Sequence, residues 1–128
     1  MRQQLIDKQV LGIHIRMKDG GHPQNKIQRL YDKIKLFYHQ HPQWYIYVAS
    51  DSLEIETVLC KQYKRILVST DILGETYQDK VANNQFGFYN GICELFVLSQ
   101  CNQLWGTKNS SFSVMAWLLS DIDKLIIW

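Results

Sequence analysis

The stretch GIHIRMKD, residues 12–19, decides how this chain is read. It follows the apolar run LIDKQVLGI (5–13) and leads straight into a turn, GGHP (20–23). Over residues 9–16, QVLGIHIR, alternation puts Ile13 and Ile15 on one side of a strand and Gly12, His14 and Arg16 on the other. A guanidinium at the end of a buried strand needs an anionic partner, since burying a cation alone costs roughly several kcal/mol. That partner is either a carboxylate of the chain, Asp19 or Asp51, or an anion that binds there.

Working outward, Pro23 is well placed to start a helix over 24–39, whose Ile27, Leu30, Tyr31, Ile34 and Phe37 or Tyr38 recur at helical spacing. The opposite face carries Lys26, Arg29, Lys33 and Lys35 and is read as solvated. His41-Pro42 stops the helix. WYIYVAS (44–50) is a second strand, and DSLEIETVLCKQY a second helix, with Asp51 and Glu54 at capping-box spacing and Ile55, Val58, Leu59 and Gln62 or Tyr63 as its apolar face. RILVST (65–70) is a third strand, and 71–84 lack a clear period and read as a loop. Residues 86–99 form a helix with Phe88, Ile92, Leu95, Phe96 and Leu98 or Ser99 as its apolar stripe. NQLWGT (102–107) is a fourth strand, SFSVMAWLLS a helix capped by Ser110 or Ser111, and KLIIW a last strand.

Strands alternating with helices predict a three-layer, Rossmann-like α/β domain: about five mostly parallel strands with helices on both faces and right-handed crossovers. In such sheets ligands bind outside the carboxyl ends of the strands. Three places meet there: His14, Arg16 and Asp19 after the first strand, Ser50 and Asp51 after the second, and Thr107, Ser110 and Ser111 after the fourth.

The length of 128 residues suits one domain over 1–128 with a proper core. The 46% hydrophobic and 20% charged composition excludes a disordered chain, and a net charge of +2 is too small to argue for a nucleic-acid partner. No apolar run reaches the length of a membrane span, and the first residues lack the apolar region of a signal peptide. Three cysteines, Cys60, Cys93 and Cys101, show no C-x-x-C spacing, which favours reduced thiols and a cytoplasmic location; Cys93 and Cys101 read as core. There is no G-x-G-x-x-G and no Walker sequence. His39 and His41 are read as charge at a helix end and not as metal ligands. Trp44, Trp105 and Trp117 are read as core.

The turn GTKNSSFS (106–113) opens a helix, and free N–H groups there, with hydroxyls beside them, suit a phosphate. Arg16 can grip the same phosphate through a bidentate pair. The plainer alternative is that Ser110 and Ser111 only cap the helix and Arg16 pairs with Asp19 or Asp51. His14 is read as a donor to a base or phosphate oxygen, or else as a satisfied core residue. Glu94 stands in the apolar ICELF, where a carboxylate can accept the N–H pair of a guanine edge; the plainer reading is an exposed helix Glu.

These three segments together resemble the α1,6-fucosyltransferase-like enzymes, a group that includes the nodulation fucosyltransferases. GIHIRMKD resembles their H-x-R-x-x-D segment, WYIYVASDS their strand ending in Ala-Thr/Ser-Asp, and ICELFVLSQCNQLWGTKNSSFSVMAWLL their acidic residue, strand and Ser-Ser helix start. The segments come in family order over residues 12–119. The resemblance implies the carboxyl-terminal, donor-binding half of a GT-B fold, with the amino-terminal acceptor domain absent from this chain. It implies a GDP-fucose or related nucleotide-sugar donor, an inverting fucosyltransferase-like reaction and no metal. Arg16 is the implied catalytic residue, holding the β-phosphate as GDP leaves. The expected donor-binding set is His14, Arg16, Asp19, Asp51, Glu94, Thr107, Ser110, Ser111 and Phe112. Expected partners are the nucleotide sugar, a carbohydrate acceptor, and a second chain supplying the acceptor domain or a further copy of this one. Two departures stand out: Met17 where the family often has a second arginine, and Glu94 where it has Asp. The alternative is a truncated, non-catalytic domain that binds a nucleotide or a protein partner.

Overall fold

The computed structural model describes residues 8–17, 22–73 and 84–128. Its elements are β1 (Val10–Ile15), α1 (Gln24–Gln40), β2 (Tyr45–Ser50), α2 (Leu53–Gln62), β3 (Ile66–Val68), α3 (Ser69–Leu73), α4 (Asn84–Ser99), β4 (Gln103–Gly106), α5 (Ser111–Leu118) and β5 (Leu125–Ile127). All four strand pairings are parallel, in the order β3-β2-β1-β4-β5. The chain starts at the centre, builds outward through β2 and β3, then returns to the other side of β1 with β4. The β1/β4 boundary is therefore the point where strand order reverses, and the crevice outside it is where such sheets take ligands.

β1 is buried along its whole length, and its alternation sorts the core into two layers. Leu11, Ile13 and Ile15 join Ile27, Leu30, Ile34 and Phe37 of α1 and Ile55 and Leu59 of α2. On the other face, Val10, Tyr47, Ala49 and Leu104 meet Ile72 of α3, Leu95 and Leu98 of α4 and Ala116 of α5. Gly12 faces this second layer at close approach: a Cβ there would lie 2.8 Å from the Cys101 sulfur and 3.2 Å from Leu98 Cδ2. A side chain at position 12 would have to displace the Cys101 side chain and press on Leu98 of α4.

The end of α1 is held by a cation. Helix carbonyls in the last turn lack intrahelical donors. The Arg65 guanidinium donates to Tyr38 O at 2.7 Å, to His41 O at 2.9 Å and to Trp44 O, and stacks 3.8 Å over the Tyr38 ring. It ties the α1–β2 connection to the start of β3.

Several elements differ from the sequence expectation. The α2 cap is Ser52, whose hydroxyl accepts from Ile55 N, while Asp51 instead accepts from Met17 N at 2.7 Å. Val58, expected on the apolar face of α2, turns outward, while Ile55, Leu59 and Tyr63 are buried as expected. Ser69 and Thr70 open α3 rather than continuing β3, because Asp71 Oδ2 accepts the Val68 N–H and the buried Ser69 hydroxyl meets Tyr47 Oη at 3.0 Å. The predicted loop thus begins as helix at 71–73, and 74–83 lie outside the described residues. On α4, Leu95, Leu98 and Ser99 are buried but Ile92 and Phe96 are exposed, Phe96 by 56%. Trp105 is buried, Trp44 and Trp117 half-buried. Cys101 is buried, Cys93 half-buried and Cys60 exposed, all three as free thiols.

Candidate functional site

The carboxyl ends of β1 and β4 are joined by side chains, because the two strands stop pairing at Ile13–Trp105. Thr107 bridges the gap: its hydroxyl donates to His14 O at 2.8 Å and accepts from Arg16 N at 3.0 Å. Trp128 Nε1 donates to the same His14 carbonyl at 2.9 Å. Thr107 thus extends the sheet by one side-chain rung. Across the next strand end, Asp51 accepts the Met17 N–H, and His22 Nε2 donates to Arg16 O at 2.7 Å. The backbone from His14 to Met17 is fixed from three directions.

α5 starts at the same place. Ser110 is its N-cap, with the hydroxyl accepting from Ser113 N at 3.4 Å, and Asn109 before it takes the left-handed conformation at φ 61°. Ser113, fully buried, places its hydroxyl 2.6 Å from His14 Nδ1 and accepts the Thr107 N–H at 3.0 Å. Space for this exists because residue 106 is glycine: a Cβ there would fall 2.7 Å from Ser113 Cβ. Phe112 lies over the His14 ring, with centroids 4.7 Å apart. Burial holds the His14 imidazole down at about 4; the Asp51 carboxylate opposes this and the Arg16 guanidinium adds to it. His14 is therefore neutral at physiological pH.

The structure brings together His14, the Arg16 backbone, Asp51, Thr107, Ser110 and Phe112. Arg16 is exposed, and its charge is close enough to be felt by the His14 ring. Ser111 is exposed on the first turn of α5. Thr107 is buried, with its hydroxyl engaged by β1. Asp19 lies outside the described residues. Glu94 is half-buried on α4 and close enough to Glu56 of α2 for their charges to interact. Burial, then the Glu94 and Asp71 charges, push the Glu56 carboxyl up to about 7 against a hydrogen bond from the Ser50 backbone. Among the described residues no cluster of His, Cys, Asp or Glu has the geometry of a metal site.

Sequence reasoning missed Ser113, Trp128 and Glu56. Ser113 carries a legible signal, since it stands three residues after the Ser110 cap in S-S-F-S and must fall on the capped side. Trp128 and Glu56 carry none, for their partners come from elsewhere in the fold. A hollow of about 370 Å³ lies between α1 and the β4–β5 face, walled by Phe37, Trp105, Ile126 and Trp128 together with Lys33 and His41, and it meets the rim at Trp128. It is an open, mostly apolar groove, and the strand-end rim, where the strand order reverses, is the better site.

No family model matches the chain, and no curated protein matches it by sequence. Solved structures do match its fold. The fucosyltransferase NodZ from Bradyrhizobium superposes with a TM-score of 0.64 at 13% identity, over 93% of this chain and 38% of that one. NodZ α1,6-fucosyltransferase co-crystallised with GDP matches with a TM-score of 0.60 at 12% identity, and the same enzyme soaked with GDP-fucose at 0.61 and 11%, with the same coverage. The chain thus has the fold of a part of a fucosyltransferase and spans 38% of the length of these neighbours. Among the described residues no helix is long and apolar enough to cross a membrane.

Proposed function

We propose that this chain is the donor-binding module of a fucosyltransferase-like glycosyltransferase, taking GDP-fucose or a related nucleotide sugar. The observation that carries the reading is the coincidence of two independent facts. The fold is that of neighbours co-crystallised with GDP or soaked with GDP-fucose. At the rim where the strand order reverses, the Arg16 backbone bonds Thr107, three residues before the Ser110 cap of α5, which supports reading the guanidinium and the helix start as joint holders of a diphosphate.

In this reading the N–H groups at the start of α5 and the Arg16 guanidinium hold the diphosphate, with the hydroxyls of Ser110 and Ser111 beside it. As the sugar departs with oxocarbenium character, charge develops on the leaving diphosphate. Arg16 and the helix start stabilise that charge, which is electrostatic catalysis by a preorganised site. No metal is assigned a role. His14 and Glu94 face the nucleoside, with Glu94 accepting from the base. Asp51 and Thr107 fix the Arg16–Met17 backbone, and Asp19 orients the guanidinium. In this reading the groups that bind the carbohydrate acceptor, and the base that activates its hydroxyl, are supplied by a second domain or a second chain.

Calorimetric titration tests the assignment. GDP should bind more tightly than ADP, and Arg16→Ala should remove most of the GDP heat. Equal binding of the two nucleotides, or GDP binding untouched by Arg16→Ala, refutes it.

A further inference from the structure

His14 has two ring nitrogens, and which one carries the proton sets what the site offers a ligand. The answer follows from counting hydrogens on Ser113. A serine hydroxyl has one proton to donate and lone pairs to accept with. Ser113 Oγ already accepts the Thr107 backbone N–H at 3.0 Å. Its own proton needs an acceptor, because the residue is fully buried. Among the described residues its other hydrogen-bond partner is His14 Nδ1, at 2.6 Å. The hydroxyl therefore donates to Nδ1, and the ring proton sits on Nε2.

We propose that Ser113 is a positioning residue that fixes His14 in the Nε2–H tautomer, so that a neutral, ring-stacked donor faces the ligand at the strand-end rim. The orientation is held from three sides: Ser113 on Nδ1, Phe112 on the ring face, and Thr107 and Trp128 on the His14 carbonyl. Among the described residues Nε2 has no hydrogen-bond partner of its own, and it is not sealed from solvent. A neutral N–H recognises an oxygen acceptor, such as a phosphate, ribose or base oxygen, and does not change charge as the ligand arrives. The charges that reach the ring are Asp51 after β2 and Arg16 at the end of β1. α5, which packs on the ring, carries no titratable side chain over Ser111–Leu118. Proton counting thus converts a cap-region serine into a specificity element. Only the identity of the ligand rests on the donor-binding reading above.

The test is long-range proton–nitrogen correlation spectroscopy of the full ¹⁵N-labelled chain without ligand, with His14 assigned by its loss in His14→Gln. The expected spectrum is a single Nε2–H tautomer that persists from pH 8 to about pH 5. An Nδ1–H tautomer in the unsubstituted protein overturns the proposal whether or not any variant folds. Ser113→Ala should release the ring into a tautomer mixture, and an unchanged spectrum in a folded Ser113→Ala chain also overturns it. Added GDP should then shift the Nε2–H resonance. A fixed Nε2–H tautomer with no response to GDP leaves the Ser113 assignment standing and removes the donor-nucleotide reading.

Discussion

Thr107→Val is the sharpest probe of how the site is built. Valine keeps the shape of threonine and replaces the hydroxyl with a methyl. Two bonds vanish, from Thr107 to His14 O and from Arg16 N to Thr107. The His14 carbonyl keeps its second donor, Trp128 Nε1, so that loss is an ordinary hydrogen bond of about 1 kcal/mol. The Arg16 N–H loses its acceptor at a partly buried position, which costs about 1 kcal/mol or somewhat more, tempered by water reaching the exposed Arg16 side. The sum is about 2 kcal/mol, or roughly a 30-fold fall in the folding equilibrium constant. With a urea slope of about 2 kcal/mol/M, the midpoint of denaturation should fall by about 1 M. Thr107→Ser, which keeps the hydroxyl, should lose less than half of that. The assay is urea unfolding followed by tryptophan fluorescence. A Thr107→Val midpoint within about 0.2 M of the parent would show that the side-chain rung between β1 and β4 contributes nothing.

Other perturbations follow from single contacts. Arg65→Met should destabilise by about 2–4 kcal/mol in thermal or urea unfolding, since three carbonyl bonds and the Tyr38 stack vanish together; a loss under about 1 kcal/mol contradicts the staple. Glu56 binds its proton more tightly in the folded chain than unfolded, so its contribution is favourable at low pH and lost as pH rises from 4.5 to about 7. The full shift would be worth ~3 kcal/mol, which partial exposure reduces to about 1–2. Glu56→Gln should therefore stabilise at pH 8 and be nearly neutral at pH 4.5, and equal effects at both would refute the assignment. Burial pushes the Cys101 thiol up to about 12, while Cys60 is exposed. Iodoacetamide should modify Cys60 in the native state and reach Cys101 only on unfolding, as mass spectrometry would read.

The alternation of QVLGIHIR was enough to set Ile13 and Ile15 in one layer and Gly12 and His14 in the other, because a two-residue period admits no compromise once both faces are buried. The parallel architecture followed from the alternation of strands and helices, and the meeting of the β1 and β4 ends followed from it. What failed to show has physical causes. Ile92 and Phe96 fit a helical stripe, yet the helix turns them outward, since α4 is apolar nearly all round and periodicity then cannot choose a face. The same holds on α5, where Val114, Met115 and Leu118 are all exposed, Leu118 by 68%, as is the Leu119 cap that follows. Asp51 and Ser52 are adjacent capping residues, and the competing bond from Asp51 to Met17, 34 positions away, decided between them. The Ser113–His14 bond spans 99 positions and is created by the fold.

The most direct measurement of the central claim is amide mapping of GDP binding on the ¹⁵N-labelled chain. The account predicts shifts concentrated at His14 to Met17 on one strand end and Thr107 to Phe112 at the start of α5, moving together along one saturating curve. Shifts confined to the groove between Phe37 and Trp105, or perturbation of one of those two segments without the other, would contradict a diphosphate held jointly by the Arg16 strand end and the helix start.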